Sequence, residues 1–230
     1  VARKFLMAGR GGLNLTHSEP FDRFIKRYGE AASQLLPILQ ALPPTELIAW
    51  ANALGQETFV GSSGRVFPTA MKASPLLRAW LTRLNAQGVE IQTRATWLGW
   101  REDGALRFDI NGAEEIVAPA ATLLALGGAS WPRLGSDGSW RDILSARGVE
   151  VTPFAPANVG FRISWSEHFR TRFAGQPLKG VAIRRSEHVA RGDAMVTNYG
   201  IEGGPIYALS TAIRAAIPTK IRIDLRPDLR

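Results

Sequence analysis

The sequence predicts an α/β fold followed by a smaller β-rich domain, and three observations carry the prediction. Residues 74–93 have the pattern of a helix that leads into a short strand. Three short β-prone segments follow, and after them comes a continuous apolar run suited to the centre of a parallel sheet. Beyond residue 152 the chain changes to short β-prone runs broken by proline, glycine and arginine. We therefore expect one domain over residues 1–152 and a second over residues 153–230.

Residues 21–54 have the apolar spacing of helices. Apolar side chains recur three and four positions apart, and Gly55 can end the segment. Because proline lacks the amide that a helix interior needs, Pro37, Pro43 and Pro44 are expected to divide the segment into short helices.

The next helix is predicted from Ser74 to Gln87. Ser74 is a good N-cap residue, Pro75 fits the first helical position, and Gly88 can end the helix. Residues 89–93 then favour a strand, so the whole segment resembles the second half of an α/β unit.

Turn signals divide the following residues into a three-stranded meander. Glu102-Asp103-Gly104 and Asn111-Gly112 separate β-prone segments at 95–100, 105–110 and 114–118. The apolar run 120–126 comes next and predicts a buried strand, which ends at Gly127-Gly128. A helix is expected from about residue 139 to 147.

Beyond residue 152 the predicted elements are shorter. Strands are expected near residues 159–164, 180–184, 194–197 and 220–225, and a helix over residues 205–217. Together they indicate a small sheet or barrel.

Composition indicates a folded chain without a membrane span. Hydrophobic residues make up 45% and charged residues 21%, close to the globular average. The apolar runs fall short of the roughly 18 residues that a spanning helix needs, and no signal peptide is recognisable, so a cytoplasmic location is expected. The sequence has no cysteine, which excludes disulfides, thiolate metal sites and a cysteine nucleophile.

The net charge of +8 leaves a second function class open. Arginines are spread along the chain and no nucleic-acid-binding motif accompanies them, so direct nucleic-acid binding is not expected. The alternative function is nevertheless a non-catalytic or RNA-associated basic module that keeps an enzyme-like fold.

The segment VARKFLMAGRGGLNLTHSEP at residues 1–20 has the composition of an anion-binding loop. Glycines let backbone N–H groups approach an anion closely, and basic and short polar side chains add charge and hydrogen bonds. The chain contains no GxGxxG motif, so the first βα unit of a dinucleotide site is missing from this sequence.

Four blocks resemble the HI0933/YhiN-like flavoproteins, a bacterial family of NAD(P)/FAD-dependent oxidoreductases. They are AGRGGLNLTH at 8–17, GRVFPTAMKAS at 64–74, LALGGASWPRLGSDG at 124–138 and TNYGIEGGPIYALS at 197–210, in the family's order. The resemblance implies a two-dinucleotide-binding, Rossmann-like FAD domain with a β-meander crossover and an inserted β-rich domain. It also implies an internal fragment, without the GxGxxG unit and the C-terminal return to the FAD domain, that is inactive alone.

The resemblance further implies an oxidoreductase that binds FAD non-covalently and acts on a small-molecule substrate, with NAD(P)H as a candidate electron donor. Matching positions indicate which residues contact the cofactor. The first block corresponds to the loop beside the pyrophosphate and ribityl chain, the Gly-Gly pair to the passage of the adenosine, and the start of the meander to the adenine edge. The residues so assigned are Lys4, Gly9, Arg10, Gly11, Asn14, Thr16, Ala95, Gly127 and Gly128.

Two further side chains have open roles. Arg65, in the GRVFP context, is either a contact to an anionic substrate or a structural arginine bonded to loop carbonyls. His17 lies in the first block, but a histidine with satisfied surface hydrogen bonds is the simpler interpretation. The three histidines do not have metal-ligand spacing, so no metal site is expected.

Overall fold

The computed structural model describes residues 1–9 and 11–229, and the chain divides into two compact units, residues 1–150 and 151–230. The division falls two residues before the boundary expected from the sequence. Both units mix helices with antiparallel sheets.

Nine α-helices occur in the described residues: α1 Arg3–Ala8, α2 Phe21–Lys26, α3 Ala32–Ala41, α4 Pro44–Ala53, α5 Ala73–Ala86, α6 Trp140–Ser145, α7 Glu167–Phe173, α8 Gly204–Ala208 and α9 Ser210–Arg214. Short 3₁₀ turns cover Gly29–Ala31 and Pro132–Leu134.

Eleven strands form three sheets in the same described residues. The strands are β1 Thr16–His17, β2 Thr58–Val60, β3 Arg65–Pro68, β4 Ala95–Trp100, β5 Leu106–Ile110, β6 Ala113–Val117, β7 Phe161–Arg162, β8 Pro177–Arg185, β9 His188–Val196, β10 Gly200–Gly203 and β11 Arg222–Asp224. Their orders are β1-β3-β2, β4-β5-β6 and β11-β8-β9-β10-β7, and every pair is antiparallel.

The core of the first unit lies between the first block and helices α4 and α5. Its buried members are Leu13, Ala51, Leu54, Ala73 and Leu76, packed against partly buried aromatic residues. Apolar side chains from the loop and from both helices are thereby removed from water together, which fixes the loop against the helices.

The predicted meander is confirmed as β4, β5 and β6. Asn111 and Gly112 join the last two strands, and both have positive φ, 57° and 88°. This is the backbone of the two-residue hairpin turn that Asn-Gly favours.

Two strand predictions are wrong. Residues 89–93 and 120–126 have no strand assignment, and Leu123 is 90% exposed. A strand requires a hydrogen-bonded neighbour, and no strand in the described residues pairs with either segment. The composition of these segments is typical of a strand, but strand formation also requires a second segment to pair with, which the composition does not reveal.

Two details of the helices also differ from expectation. Helix α5 begins at Ala73 after Lys72, so Ser74 lies inside the helix and is not its N-cap. Pro37 lies within α3 without ending it, whereas Pro44 starts α4 at its first turn. Proline at the sixth position of this ten-residue helix removes one backbone hydrogen bond, and the helix continues on both sides of it.

The second unit is a five-stranded antiparallel sheet covered by α8 and α9. Its core contains Val181, Ile183, Ile201, Ile206 and Ile213, all at most 3% exposed. The sheet confirms the β-rich character expected from the sequence.

Two elements of this unit were missed. No strand was predicted at residues 200–203, which form β10, and helix α7 was not predicted either. A Cβ added to Gly200 would lie 1.9 Å from the carbonyl oxygen of Phe161. Gly200 therefore allows a close approach of β10 to β7, which a turn-like composition does not reveal.

No helix within residues 1–9 and 11–229 has the length and apolarity to cross a lipid bilayer.

Candidate functional site

The loop after α1 is held at both ends and exposed between them. Gly9 is buried, and a Cβ placed there would lie 2.4 Å from the Cβ of Ala73. Leu13 is buried in the core, and the amide of Leu15 donates to the carbonyl of Val66 over 2.9 Å. Asn14 is exposed between these anchors, so its amide group is accessible to a ligand.

Backbone donors are available in this loop. The N–H groups of Leu13 and Asn14 donate to no acceptor in the described part of the chain. A Cβ added to Gly11 would meet no atom within 4 Å. At Gly11 and at the exposed Asn14 the loop can therefore present its backbone to an anion. Arg10, also assigned to this loop from the sequence, lies outside the described residues.

The first and second blocks pair in one sheet. Thr16 lies opposite Val66 and His17 lies opposite Arg65, and Thr16 is half-buried. The sheet thus fixes the end of the glycine loop, although these two blocks are far apart in sequence.

His17 has a structural role. Its Nδ1 accepts a hydrogen bond from the amide of Glu19 at 3.1 Å, and its Nε2 lies 3.0 Å from the carbonyl oxygen of Ser63. Both contacts are satisfied when the ring is neutral and Nε2 carries the proton, because a carbonyl can only accept. A Cβ added to Gly64 would lie 2.6 Å from Cε1 of the ring, so the glycine makes room for this histidine.

Helix α1 and the third block meet at a cluster formed by Lys4, Gly127, Gly128 and Ser136. The ammonium of Lys4 donates to Oγ of Ser136 over 2.6 Å. The Ser136 hydroxyl donates in turn to the carbonyl of Gly128 over 3.1 Å. Ser136 is only 4% exposed, so these contacts satisfy a buried hydroxyl. The cluster connects α1 to the Gly-Gly loop.

Glycine is required at one position of this cluster and leaves open space at another. Gly127 has φ of 75°, and a Cβ there would lie 3.1 Å from Oγ of Ser136 and 3.4 Å from Nζ of Lys4. A Cβ at Gly128 would meet nothing within 4 Å. The indole N–H of Trp140 donates to the carbonyl of Gly127 over 3.1 Å and helps hold the loop in place.

A charged turn follows the cluster. The carboxylate of Asp137 accepts hydrogen bonds from the amide and the hydroxyl of Ser139, at 3.0 and 2.9 Å. These two bonds, with the amide contribution first, lower the pKa of Asp137 below its ordinary value. Asp137 therefore remains ionised at neutral pH next to Ser136.

The remaining assigned residues lie elsewhere on the first unit. Ala95 begins β4 opposite Ile110, and Arg65 is exposed on β3. In the described part of the chain no hydrogen bond joins either residue to the Lys4–Ser136 cluster. The Arg65 guanidinium donates to no carbonyl among the described residues.

Sequence reasoning assigned no role to Ser136 or Trp140, although both side chains hold the Gly-Gly loop. The signal that could have indicated Ser136 is the GSxG turn at residues 135–138, where two glycines with φ of 84° and 76° flank the buried serine. Within the described residues no group of three histidine or acidic side chains is placed to hold a metal ion.

The family model described as HI0933-like protein Rossmann domain matches residues 1–211, and the chain belongs to this family. The resemblance and the α/β fold class expected from the sequence are thereby confirmed.

A relative with a named activity matches along the whole chain. The chain is 27% identical over 240 residues to the 3-dehydro-bile acid delta(4,6)-reductase of Clostridium scindens. The match covers 100% of this chain and 56% of the relative. The chain thus spans little more than half of the length of the relative.

Proposed function

We propose that this chain is part of an FAD-dependent oxidoreductase and supplies one side of the site for the cofactor's pyrophosphate. The observation that carries the proposal is the Lys4–Ser136–Gly128 hydrogen-bond chain, which holds an ammonium beside a Gly-Gly loop. Family membership and the reductase named in Clostridium scindens support the oxidoreductase class.

The residues present fit an anionic dinucleotide. Lys4 offers a positive charge, and the loop after α1 offers amides without acceptors among the described residues. Open space at the Cβ positions of Gly11 and Gly128 lets a ligand approach the backbone. Charge combined with oriented amides is the usual means by which proteins hold phosphate oxygens.

Several of these residues then have distinct roles. The ammonium of Lys4 neutralises the pyrophosphate, and Ser136 positions that ammonium. Asn14 and Thr16 provide hydrogen bonds along the ribityl chain, while the Gly-Gly pair admits the adenosine. Gly9 supports the loop by packing. FAD, when bound, supplies the redox chemistry, with NAD(P)H as its proposed electron donor.

The substrate is proposed to be a small organic molecule. The related enzyme is named for the reduction of 3-dehydro-bile acids. Arg65, exposed and without a partner among the described residues, is the proposed contact for a substrate anion.

Replacement of the ammonium tests the cofactor proposal in the complete protein. Lys4→Gln should weaken FAD binding about tenfold, because a charge-assisted contact to phosphate is lost. Lys26→Gln, which changes an exposed lysine on α2, is the matched control and should leave binding unchanged. Unchanged FAD affinity in both Lys4→Gln and Asn14→Ala would refute the assigned site.

A further inference from the structure

The sheet β1-β3-β2 has a buried face and an outer face that the proposed cofactor site does not use. On β3, Val66 is 1% exposed and Pro68 is also buried, so both side chains lie on the buried face. Arg65 and Phe67 alternate with them along the strand and therefore lie on the outer face. Residues directly opposite each other on neighbouring strands share a face, so Phe59, which pairs with Phe67, lies on the outer face as well.

Three apolar side chains, Phe59, Phe67 and Met71, form what we call the phenylalanine patch. The rings of Phe59 and Phe67 are 5.9 Å apart, with 31° between their planes. A Cβ added to Gly12 would lie 2.6 Å from Cε of Met71 and 3.3 Å from Cδ1 of Phe67, so these two side chains meet over Gly12. Phe59 is 41% exposed and Met71 is 42% exposed. The patch therefore offers aromatic and thioether surface to a ligand.

The patch is fixed in place beside the glycine loop. Gly12 has φ of 99°, in the left-handed region that favours glycine, and its missing side chain makes room for Met71 and Phe67. A Cβ added to Gly61 would lie 3.4 Å from Cε2 of Phe67, which is across the ring from Cδ1. The Phe67 ring is thus held between two backbone segments. Because Gly11 directly precedes Gly12, a ligand on the patch would lie next to the loop assigned to the cofactor.

Arg65 adds a positive charge to the same face. It precedes Phe67 by two positions, which is about 7 Å along a strand. Its side chain is exposed and pairs with no carboxylate in the described part of the chain. His17, opposite Arg65, is bonded to backbone groups, and the neighbouring Glu19 carboxylate accepts hydrogen bonds from Arg27. Arg65 can therefore pair with an anionic group of a ligand.

We propose that the phenylalanine patch and Arg65 form the substrate site, and that the substrate is a carboxylic acid with a flat ring body. The ring packs on Phe59, Phe67 and Met71, because aromatic rings and thioethers both pack favourably against rings. The carboxylate pairs with the planar guanidinium of Arg65, which can donate two parallel hydrogen bonds to it. The role as a substrate site rests on the proposed oxidoreductase function, whereas binding of the ring acid can be measured without it.

Three probes test the substrate class in the complete protein by isothermal titration calorimetry at neutral pH. Naphthalene-2-carboxylate has the ring and the charge, naphthalene-2-methanol has only the ring, and acetate has only the charge. The first is expected to bind roughly tenfold more tightly than either of the others. If naphthalene-2-methanol binds equally well, the charge is not recognised, and if acetate does, the ring is not. Either result, or no binding of naphthalene-2-carboxylate at millimolar concentration, would overturn the proposal.

Removal of one exposed ring locates the apolar body of the ligand. Phe59→Ala should weaken the binding of naphthalene-2-carboxylate several-fold. Phe173→Ala is the matched control, because Phe173 is also partly exposed, at 36%, and packs on another phenylalanine, Phe169, over 4.8 Å. The control should bind the probe as the wild type does. An equal loss in both variants would show that the patch is not the binding site.

Removal of the guanidinium locates the carboxylate. Arg65→Gln should weaken the binding of naphthalene-2-carboxylate about tenfold and leave naphthalene-2-methanol binding unchanged. Arg78→Gln changes an exposed arginine on α5 and should alter neither affinity. If Arg65→Gln binds the carboxylate as tightly as the wild type, the anionic group lies elsewhere and the proposal is wrong.

Flavin content separates this proposal from the cofactor proposal. The bound FAD is measured in the wild type and in each variant before the titration. A wild-type protein that takes up no FAD would refute the cofactor proposal, but the probes can still be titrated into it. Flavin-loaded protein without the preference for naphthalene-2-carboxylate would refute the substrate site and leave the cofactor proposal standing.

Discussion

The Nζ atom of Lys4 lies 2.6 Å from Oγ of Ser136, although 132 positions separate the two residues. The Ser136 hydroxyl uses its proton for the carbonyl of Gly128, so its lone pair is free to accept from the ammonium. The direction of both hydrogen bonds is therefore fixed. This contact orders the charged end of α1 against the Gly-Gly loop.

Removal of the serine hydroxyl should destabilise the first unit. Ser136→Ala loses two hydrogen bonds at a buried position, and we expect the free energy of unfolding to fall by about 1–3 kcal/mol. Urea denaturation followed by circular dichroism measures this. Ser145→Ala, at an exposed position of α6, should change the free energy by less than about 0.5 kcal/mol. Equal effects in the two variants would contradict the role of Ser136.

Two glycines of the same loop should respond differently to alanine. Gly9→Ala places a Cβ 2.4 Å from the Cβ of Ala73, and overpacking of this kind costs about 1–3 kcal/mol of stability. Gly11→Ala meets no atom within 4 Å and should leave stability nearly unchanged while it weakens FAD binding. Thermal unfolding and FAD titration of both variants check the pair. If Gly11→Ala lowers the stability and still binds FAD normally, Gly11 has a structural role and its assignment to the cofactor site is wrong.

The elements that the sequence predicted correctly are those whose determinants are local. The meander follows from alternating strands and from an Asn-Gly turn whose two residues adopt positive φ. The helices α4 and α5 follow from apolar spacing and from glycines available at their ends.

The sequence predictions failed for segments whose structure depends on a strand or residue far away in the sequence. Residues 120–126 have the composition of a buried strand, but pairing depends on another segment. Ser136 likewise gains its role only when α1 brings Lys4 to it. Gly9 was assigned to the cofactor by its motif, and only the distance to Ala73 shows that its absent side chain is needed for packing.

The ion pair between Glu19 and Arg27 should make stability depend on acid pH. Hydrogen bonds from the Arg27 guanidinium lower the pKa of Glu19 below its ordinary value of 4.5. A lowered folded-state pKa means that the stabilisation is present above pH 4.5 and is lost as the pH falls through the folded pKa. Because Arg27 is largely exposed, we expect only about 0.5 kcal/mol.

Unfolding measured between neutral and acid pH tests this linkage. In Glu19→Gln the loss of unfolding free energy at acid pH that comes from this pair should vanish. In Arg27→Gln that loss should be reduced to a similar extent. An unaltered acid profile in both variants would show that the pair does not contribute.

Replacement by glutamine should lower the free energy of unfolding more at Arg83 than at Arg65. Arg83 donates to the carbonyl of Ala53 over 2.7 Å, so Arg83→Gln should cost about 1 kcal/mol. Arg65 has no such bond among the described residues, and Arg65→Gln should stay within about 0.5 kcal/mol of the wild type. Chemical denaturation of both variants compares them. If Arg65→Gln lowers the free energy of unfolding by more than Arg83→Gln does, Arg65 has a structural role.

The most direct test of the central claim is the flavin content of the complete protein. Purified protein, reconstituted with FAD and freed of excess, should show the visible absorption of bound flavin at a stoichiometry near one FAD per chain. A colourless protein that takes up no FAD would contradict the account, and salt-sensitive retention of RNA by the same protein would favour the basic-module alternative.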